Sequence, residues 1–468
     1  MSQRPLFLNW TRIRAALRVM TIAALAALAA SPHAWGQDYP QSSSEEPTYP
    51  GIPPQSKLET TIGSQQLRFY GTVLLNISAS DSVEVGQEVP LWALPGPNNV
   101  TFPDGTTQRA GNTHDLILTA RQSVFGFQLK PANPSQNMWN TSGTLEFDFF
   151  GARPVDTLQP QGRVLNQPRL RLGYLQVERG DWKIVAGQDR YIIAPLDPVS
   201  LSHVGIPLGA TAGNLWGWQP QVRVEMKHPM GSASTLLQFG ILRPQFSDPR
   251  LGDLPSAGIL DSTASGFGER NTQPFYQARL SATLPMVGST GTVGVGAHYG
   301  RERVGVNRRL DSWAFAFDYS VPLHSRVRFR GEGFVGSNLV PLQGGILQGV
   351  AQFLVGQPFT TPRKIGAGGG WGELTVKLTQ DNKNVFYVGA GTDDPRDRNL
   401  LPNTTRAKNT FEWASYFHKV TDDVTVALEY SNWGLRTDAF GGPIGVVNVG
   451  RGPAGRGNVF NLSLAYQF

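Results

Sequence analysis

The residues best placed to do chemistry in this 468-residue chain are arginines spaced two apart. Arg326, Arg328 and Arg330 alternate with Val327 and Phe329, and Glu332 continues the row. On a strand, side chains at that spacing share a face and stand about 6.5–7 Å apart. Arginine keeps its charge at any physiological pH, and its planar fork grips a carboxylate at two points. A row of such forks beside water offers an anion successive weak sites. The pattern recurs. Arg169 and Arg171 oppose Leu170 and Leu172, and Gln221, Arg223, Glu225 and Lys227 oppose Val222, Val224 and Met226. Arg279, Arg68 and Arg121 continue the series. Acids run on the same faces: Glu146, Asp148, Glu225, Glu332, Glu373, Glu412 and Glu429. For any single arginine the alternative is pairing with one of these acids to brace a wall.

Other chemistry finds little footing. The chain has no cysteine, hence neither disulfides nor thiolates. Its histidines, at 33, 114, 203, 228, 298, 324 and 418, form no close metal-ligand pair. Asp393, Asp394 and Asp397 read as a solvated acidic outer loop ahead of the alternative of a cation site, and Gly366–Gly372 lacks a phosphate-binding spacing. No metal, cofactor or catalytic group is expected, and the chain is read as a non-enzyme. Two rivals stay open: a barrel enzyme using a rim histidine such as His298, and a closed barrel serving as adhesin or anchor.

The elements that must carry the arginines are alternating strands. About sixteen segments, from Leu67–Ser80 to Asn458–Phe468, place apolar residues at every second position. The last is the clearest, with Phe460, Leu462, Leu464, Tyr466 and Phe468 on one face. Such a strand has partners on both edges only in a closed barrel, and its ending is the kind read as an assembly signal in outer-membrane barrels. Connectors after even-numbered strands are mostly short (Gly180-Asp181, Pro322–Ser325, Asp381–Lys383), whereas those after odd-numbered strands are mostly long (Arg190–Gly217, Arg243–Pro274, Ser337–Gly369). This is the asymmetry of short periplasmic turns and long outer loops. The fold expected is an all-β transmembrane antiparallel barrel. A charge facing lipid at the midplane costs about 2–4 kcal/mol, so the arginine faces should look into the lumen. Where alternation slips, between Arg121 and Phe125, a bulge is expected.

Three segments follow. Residues 1–36 read as a cleaved export signal, with four arginines ahead of the apolar run Met20–Ala30. Residues 37–66 read as a flexible, Pro/Ser-rich periplasmic stretch, and 67–468 as the barrel. Losing the signal takes away Arg4, Arg12, Arg14 and Arg18 and no acid, so the formal charge falls from +6 to +2. Nucleic-acid binding has no support from so weak a charge.

Several strand motifs carry a family likeness. Arg121-Gln122-Ser123-Val124-Phe125-Gly126-Phe127, Leu145–Gly151, Pro168–Tyr174, Ala186-Gly187-Gln188 and Trp218–Arg223, in this order, resemble DcaP-like outer-membrane porins over roughly residues 67–228. The resemblance implies a homotrimer of sixteen-stranded channels for small anions such as dicarboxylates. It also implies lumen positions for Arg121, Arg169, Arg171 and Arg223. The helical extension common at the family's N-terminus has no counterpart in residues 37–60.

A passive outer-membrane porin is therefore the expected function. Its surroundings would be outer-membrane lipid and lipopolysaccharide, and its folding would pass through the barrel-assembly machinery. The third outer loop, Arg190–Gly217, is apolar for a water-exposed connector. It is expected to fold inward and narrow the pore, with Asp189, Arg190, Asp197 and His203 near the constriction.

Overall fold

The computed structural model describes residues 58–86, 88–94, 99–101, 107–109, 114–135, 137–151, 167–244, 268–304, 308–351, 363–400, 406–437 and 454–468. Sixteen antiparallel strands close into one barrel. In chain order they are β1 (Gln65–Ser80), β2 (in two parts, Asp115–Thr119 and Val124–Pro131), β3 (Asn140–Gly151), β4 (Gln167–Arg179), β5 (Trp182–Arg190), β6 (Trp218–Met230), β7 (Ala233–Leu242) and β8 (Phe275–Met286). Then come β9 (Ser289–Val304), β10 (Arg308–His324), β11 (Val327–Ser337), β12 (Gly366–Lys377), β13 (Asn384–Pro395), β14 (Lys408–Lys419), β15 (Val424–Arg436) and β16 (Gly455–Gln467). Each pairs with the next, and β16 closes on β1 in a register from Thr72 opposite Gln467 to Ser80 opposite Val459.

Alternation sorts the two faces. On β6, Gln219, Gln221 and Glu225 are buried toward the interior, while Val222 is 46% exposed on the outside. Phe239 and Leu280 are 49% and 50% exposed on the neighbouring strands. So much apolar side chain on the outer wall suits lipid, not water. Two-residue turns at Gly180-Asp181, Gly231-Ser232 and Val287-Gly288 mark the short-turn end, each with a glycine at positive φ.

Phe468 seals the seam. Its amide and carbonyl both bond Gly71 at 3.1 Å, and its ring packs 5.2 Å from Phe69. A Cβ at Gly71 would fall 2.6 Å from the Val124 carbonyl and 2.9 Å from the Phe468 ring, so no larger residue fits there. The packed apolar core lies inside the barrel. Tyr191, Ile193 and Leu215 of the loop after β5 meet wall residues Leu242 and Phe275 and, from the loop after β11, Leu339.

Two details differ from the sequence reading. The slip near Phe125 is a full break: Ala120–Ser123 leave the ladder and turn, with the Ser123 amide bonding the Ala120 carbonyl at 3.0 Å. The break aims Gln122 inward. Residues 58–66, expected to be flexible, form a hairpin: Leu58–Ile62 pairs with Gln65–Phe69 on the edge of β1 that lies below Phe468. The export signal and residues 37–57 lie outside the described residues.

Candidate pore and its lining

The interior arginines are mostly paired. Arg171 is fully buried: its Nε donates to Glu146 at 2.8 Å, and its Nη1 to Asp148 at 3.2 Å and to the Val204 carbonyl at 2.8 Å. Arg169 grips both Asp148 oxygens, at 3.1 Å on Oδ1 and 2.6 Å on the Oδ2 that Arg171 also reaches. Arg223 bridges Asp189 and Glu225, each at 2.6 Å. Arg279 grips Asp318 with two donors, at 2.8 and 2.6 Å. Arg330 lies 3.8 Å from Glu373 and donates to the Asp197 carbonyl at 3.0 Å. Arg121 bonds Glu88 of the first outer loop, and Arg68 stands 3.8 Å from Glu59 in the leading hairpin. Arg328 is held by the hydroxyls of Ser320 and Ser289 at 2.9 and 3.2 Å. Arg326 sits in the turn before β11 and touches no carboxylate among the described residues. These pairs brace the wall; the charge they still show to solvent is partial, as at Arg169, 25% exposed.

The loop of residues 191–217 lies inside the barrel and travels around it. Going along the chain, the Ile192 amide donates to Gln277 of β8 at 2.8 Å, and that of Leu196 to Glu332 of β11 at 2.6 Å. The Val199 amide donates to Glu373 of β12 at 2.7 Å. Ser202 meets Ser463 of β16 at 3.0 Å, and His203 Nδ1 meets Glu429 of β15 at 3.1 Å. The amides of Val204 and Gly205 both donate to Gln122, in the break of β2, at 2.9 and 2.8 Å. Val204 then accepts from Arg171 of β4. The outward leg thus follows the wall from β8 past β16 to β4. The return leg passes β14, where Gly209 abuts Phe411, and reaches the loop after β11, where the Trp216 amide bonds the Leu342 carbonyl at 3.2 Å. A buried loop must satisfy its backbone donors, and here carboxylate and amide side chains of the wall do so.

Of the four residues expected at a constriction, three share one stretch. Asp189 holds Arg223, and Arg190 bonds Asp197, which also accepts from Asn214 at 2.9 Å. His203 lies apart, against β15. Glu146, Asp148, Glu225, Glu332 and Glu429 are all buried on the inner wall. The clamping roles of Gln122 and Gln277 had no sequence signal beyond an inward polar position.

The first outer loop covers the mouth. The Leu91 carbonyl accepts from Thr211 at 2.9 Å and from Asn409 at 2.6 Å, joining this loop to the inner one and to β14. Within it Glu84 is mostly buried; burial pushes its carboxyl up to about 8, against the pull of the Ser80 hydroxyl at 2.6 Å.

One acid is misplaced by parity. Glu412, grouped with the lumen acids on sequence, points outward. Its strand turns Phe411 and Trp413 inward, where Phe411 stacks on Trp413 and Trp433 at 4.9 and 5.3 Å beneath the inner loop. The filled lumen takes the aromatic face of β14, so the polar face is left outside.

A closed barrel with an apolar outer belt, a polar inner wall and an inward-folded third outer loop defines a membrane channel fold. No family model and no curated protein matches the chain. Solved structures do. The chain is similar in fold to the outer membrane channel DcaP of Acinetobacter baumannii, with a TM-score of 0.60 at 15% identity, over 88% of this chain and 100% of that one. An anion-selective porin from Comamonas acidovorans aligns with a TM-score of 0.50 at 11% identity, over 86% and 100% of the two chains.

Proposed function

We propose that this chain is a passive porin of the bacterial outer membrane, without enzymatic activity, passing small solutes with a moderate preference for anions such as dicarboxylates and aromatic carboxylates. The observation that carries the porin reading is the inner loop, clamped around the wall so that it narrows the lumen from several sides. Export by residues 1–36, assembly guided by the terminal strand, and a homotrimer set in lipid and lipopolysaccharide complete the reading. The anion preference rests on Arg326, in the turn at the foot of β11, which meets no described carboxylate. The acids that hold the other arginines keep the preference moderate. Changing Arg326, Arg328 and Arg330 together to glutamine should move the reversal potential in a salt gradient toward cations. A cation-selective wild type, or an unmoved potential in the variant, would refute the anion preference.

One observation favours a second reading. The inner loop buries most of its residues, none of 81–86 and 88–94 in the first outer loop is exposed, and a barrel the two fully closed would act as an anchor and conduct nothing.

A further inference from the structure

The outer wall of β15 and β16 is layered along its height. In its lower half Leu428 and Leu464 are 55% and 40% exposed. Above them the rings of Tyr430 and Phe460 pack at 5.0 Å. Next comes an amide rung, where Asn458 Oδ1 accepts from the Tyr430 hydroxyl at 2.7 Å and from Asn432 at 2.8 Å. At the top stand three cations: Arg456, Arg436 and, on β14, Lys408. They share the outward parity of Leu464, Leu428 and Glu412. Apolar, then aromatic, then amide, then charge is the order of a wall passing out of a bilayer into its headgroups.

The heights fit that order. Arg436 stands twelve residues above the foot of β15, and Lys408 and Arg456 eleven above the feet of β14 and β16. At about 3.3 Å per residue and a tilt of about 40°, that is about 28–30 Å, against an apolar belt about 25 Å tall. The belt reaches the feet, since Val420 in the turn between β14 and β15 is 51% exposed. The cations therefore lie at the headgroup level of the leaflet on the long-loop side. They face away from the lumen, so a solute in the pore does not meet them.

Charge is unbalanced there. Lys408 and Arg436 are directly opposite in the ladder, and Arg456 is opposite Gly434, one outward place below Arg436. Like charges so placed repel. Asp394 offsets part of this, 2.9 Å from Lys408 and 3.9 Å from Arg436, and Asp397 meets Arg436 at 2.5 Å. Arg456 is exposed and meets no carboxylate among the described residues. Lys408, Thr410, Asn432, Gly434, Arg436 and Arg456 line a hollow of about 320 Å³, at the small end of ligand pockets. A lysine point charge and two arginine forks around one hollow suit the several oxygens of a phosphate.

We propose that Lys408, Arg436 and Arg456 seat a phosphate of lipopolysaccharide, the phosphorylated glycolipid of the outer leaflet. Its sugar rests over Thr410 and Gly434, and its chains run down past the Tyr430 and Phe460 rings. This deepens the lipopolysaccharide setting of the preceding section and rests on it.

The probe is bisphosphorylated lipid A, the anchor of lipopolysaccharide, added to the folded full-length protein in mild detergent and followed by native mass spectrometry. Wild type should retain it, and dephosphorylated lipid A should bind at least several-fold more weakly. R456Q should weaken binding about tenfold, the loss of one charge-assisted contact. K408Q/R436Q/R456Q should weaken it further, and K377Q at the short-turn end should bind as wild type does. Heat-modifiability checks that each barrel is folded. A folded wild type that retains no lipid A overturns the seat and the lipopolysaccharide setting together. A triple variant that retains as much as wild type, or K377Q that loses as much as R456Q, overturns the seat and leaves the setting standing. Inorganic phosphate that displaces lipid A at equal concentration overturns the lipid as occupant.

Discussion

At the scale of single residues, the inner wall behaves as a set of compensated charges. Arg171 is the most buried of the arginines, holding Glu146, Asp148 and the Val204 carbonyl at once. Removing one partner of a buried pair leaves the other uncompensated and costs about 3–5 kcal/mol. R171M should therefore lower the unfolding free energy, read from denaturant titration, by that much and loosen the inner loop, whereas R328Q should change stability little. Equal free energies for R171M and wild type would show that the pair is hydrated. Glu84 gives a pH dependence with a definite sign. Burial raises its folded-state value from 4.5 to about 8. The docked first loop is then fully stable below about 4.5 and loses that contribution as pH rises through about 8. Amide protection factors across residues 81–94, which remove the intrinsic rise of exchange with pH, should be lower at pH 9 than at pH 6, and E84Q should abolish the difference. Identical protection factors in wild type at both pH values would contradict the burial of a neutral carboxyl.

At the scale of elements, legibility followed periodicity. Strands β6, β8 and β16 repeat every two residues and could be read from apolar spacing alone. The break at Arg121–Ser123 showed as a slip in that spacing. The acceptors for the inner loop did not show, because Gln122, Gln277 and Glu373 meet it across 82 to 174 residues of chain. Glu412 was misread for a related reason: Phe411 and Trp413 resemble a lipid face, and only a filled lumen turns them inward. Two predictions belong here. Shortening the loop between Pro198 and Leu208 should raise single-channel conductance severalfold with the barrel intact, because it removes the leg that passes β12 to β4. Deleting Phe468 removes both hydrogen bonds to Gly71 and the ring that covers it. The heat-modifiable fraction in membranes should fall markedly, and an undiminished fraction would deny the terminal strand its role in assembly.

At the scale of the whole molecule, two asymmetries set the behaviour. Along the axis, short turns face one side and long loops the other, and the loop of residues 191–217 enters the barrel. Around the axis, β1–β11, β15 and β16 bear exposed large apolar side chains, and among the described residues β12, β13 and β14 bear none. The axial asymmetry was legible as connector length, since turns and loops differ in sequence. The circumferential one was not, because all outward positions share one parity and differ only in residue size. The most direct test of the central claim is planar-bilayer recording of the purified full-length protein in a salt gradient. An open porin lined by the inner loop gives discrete single-channel steps with a reversal potential shifted moderately toward anions. Membranes that hold the folded barrel yet show no steps would contradict the channel itself.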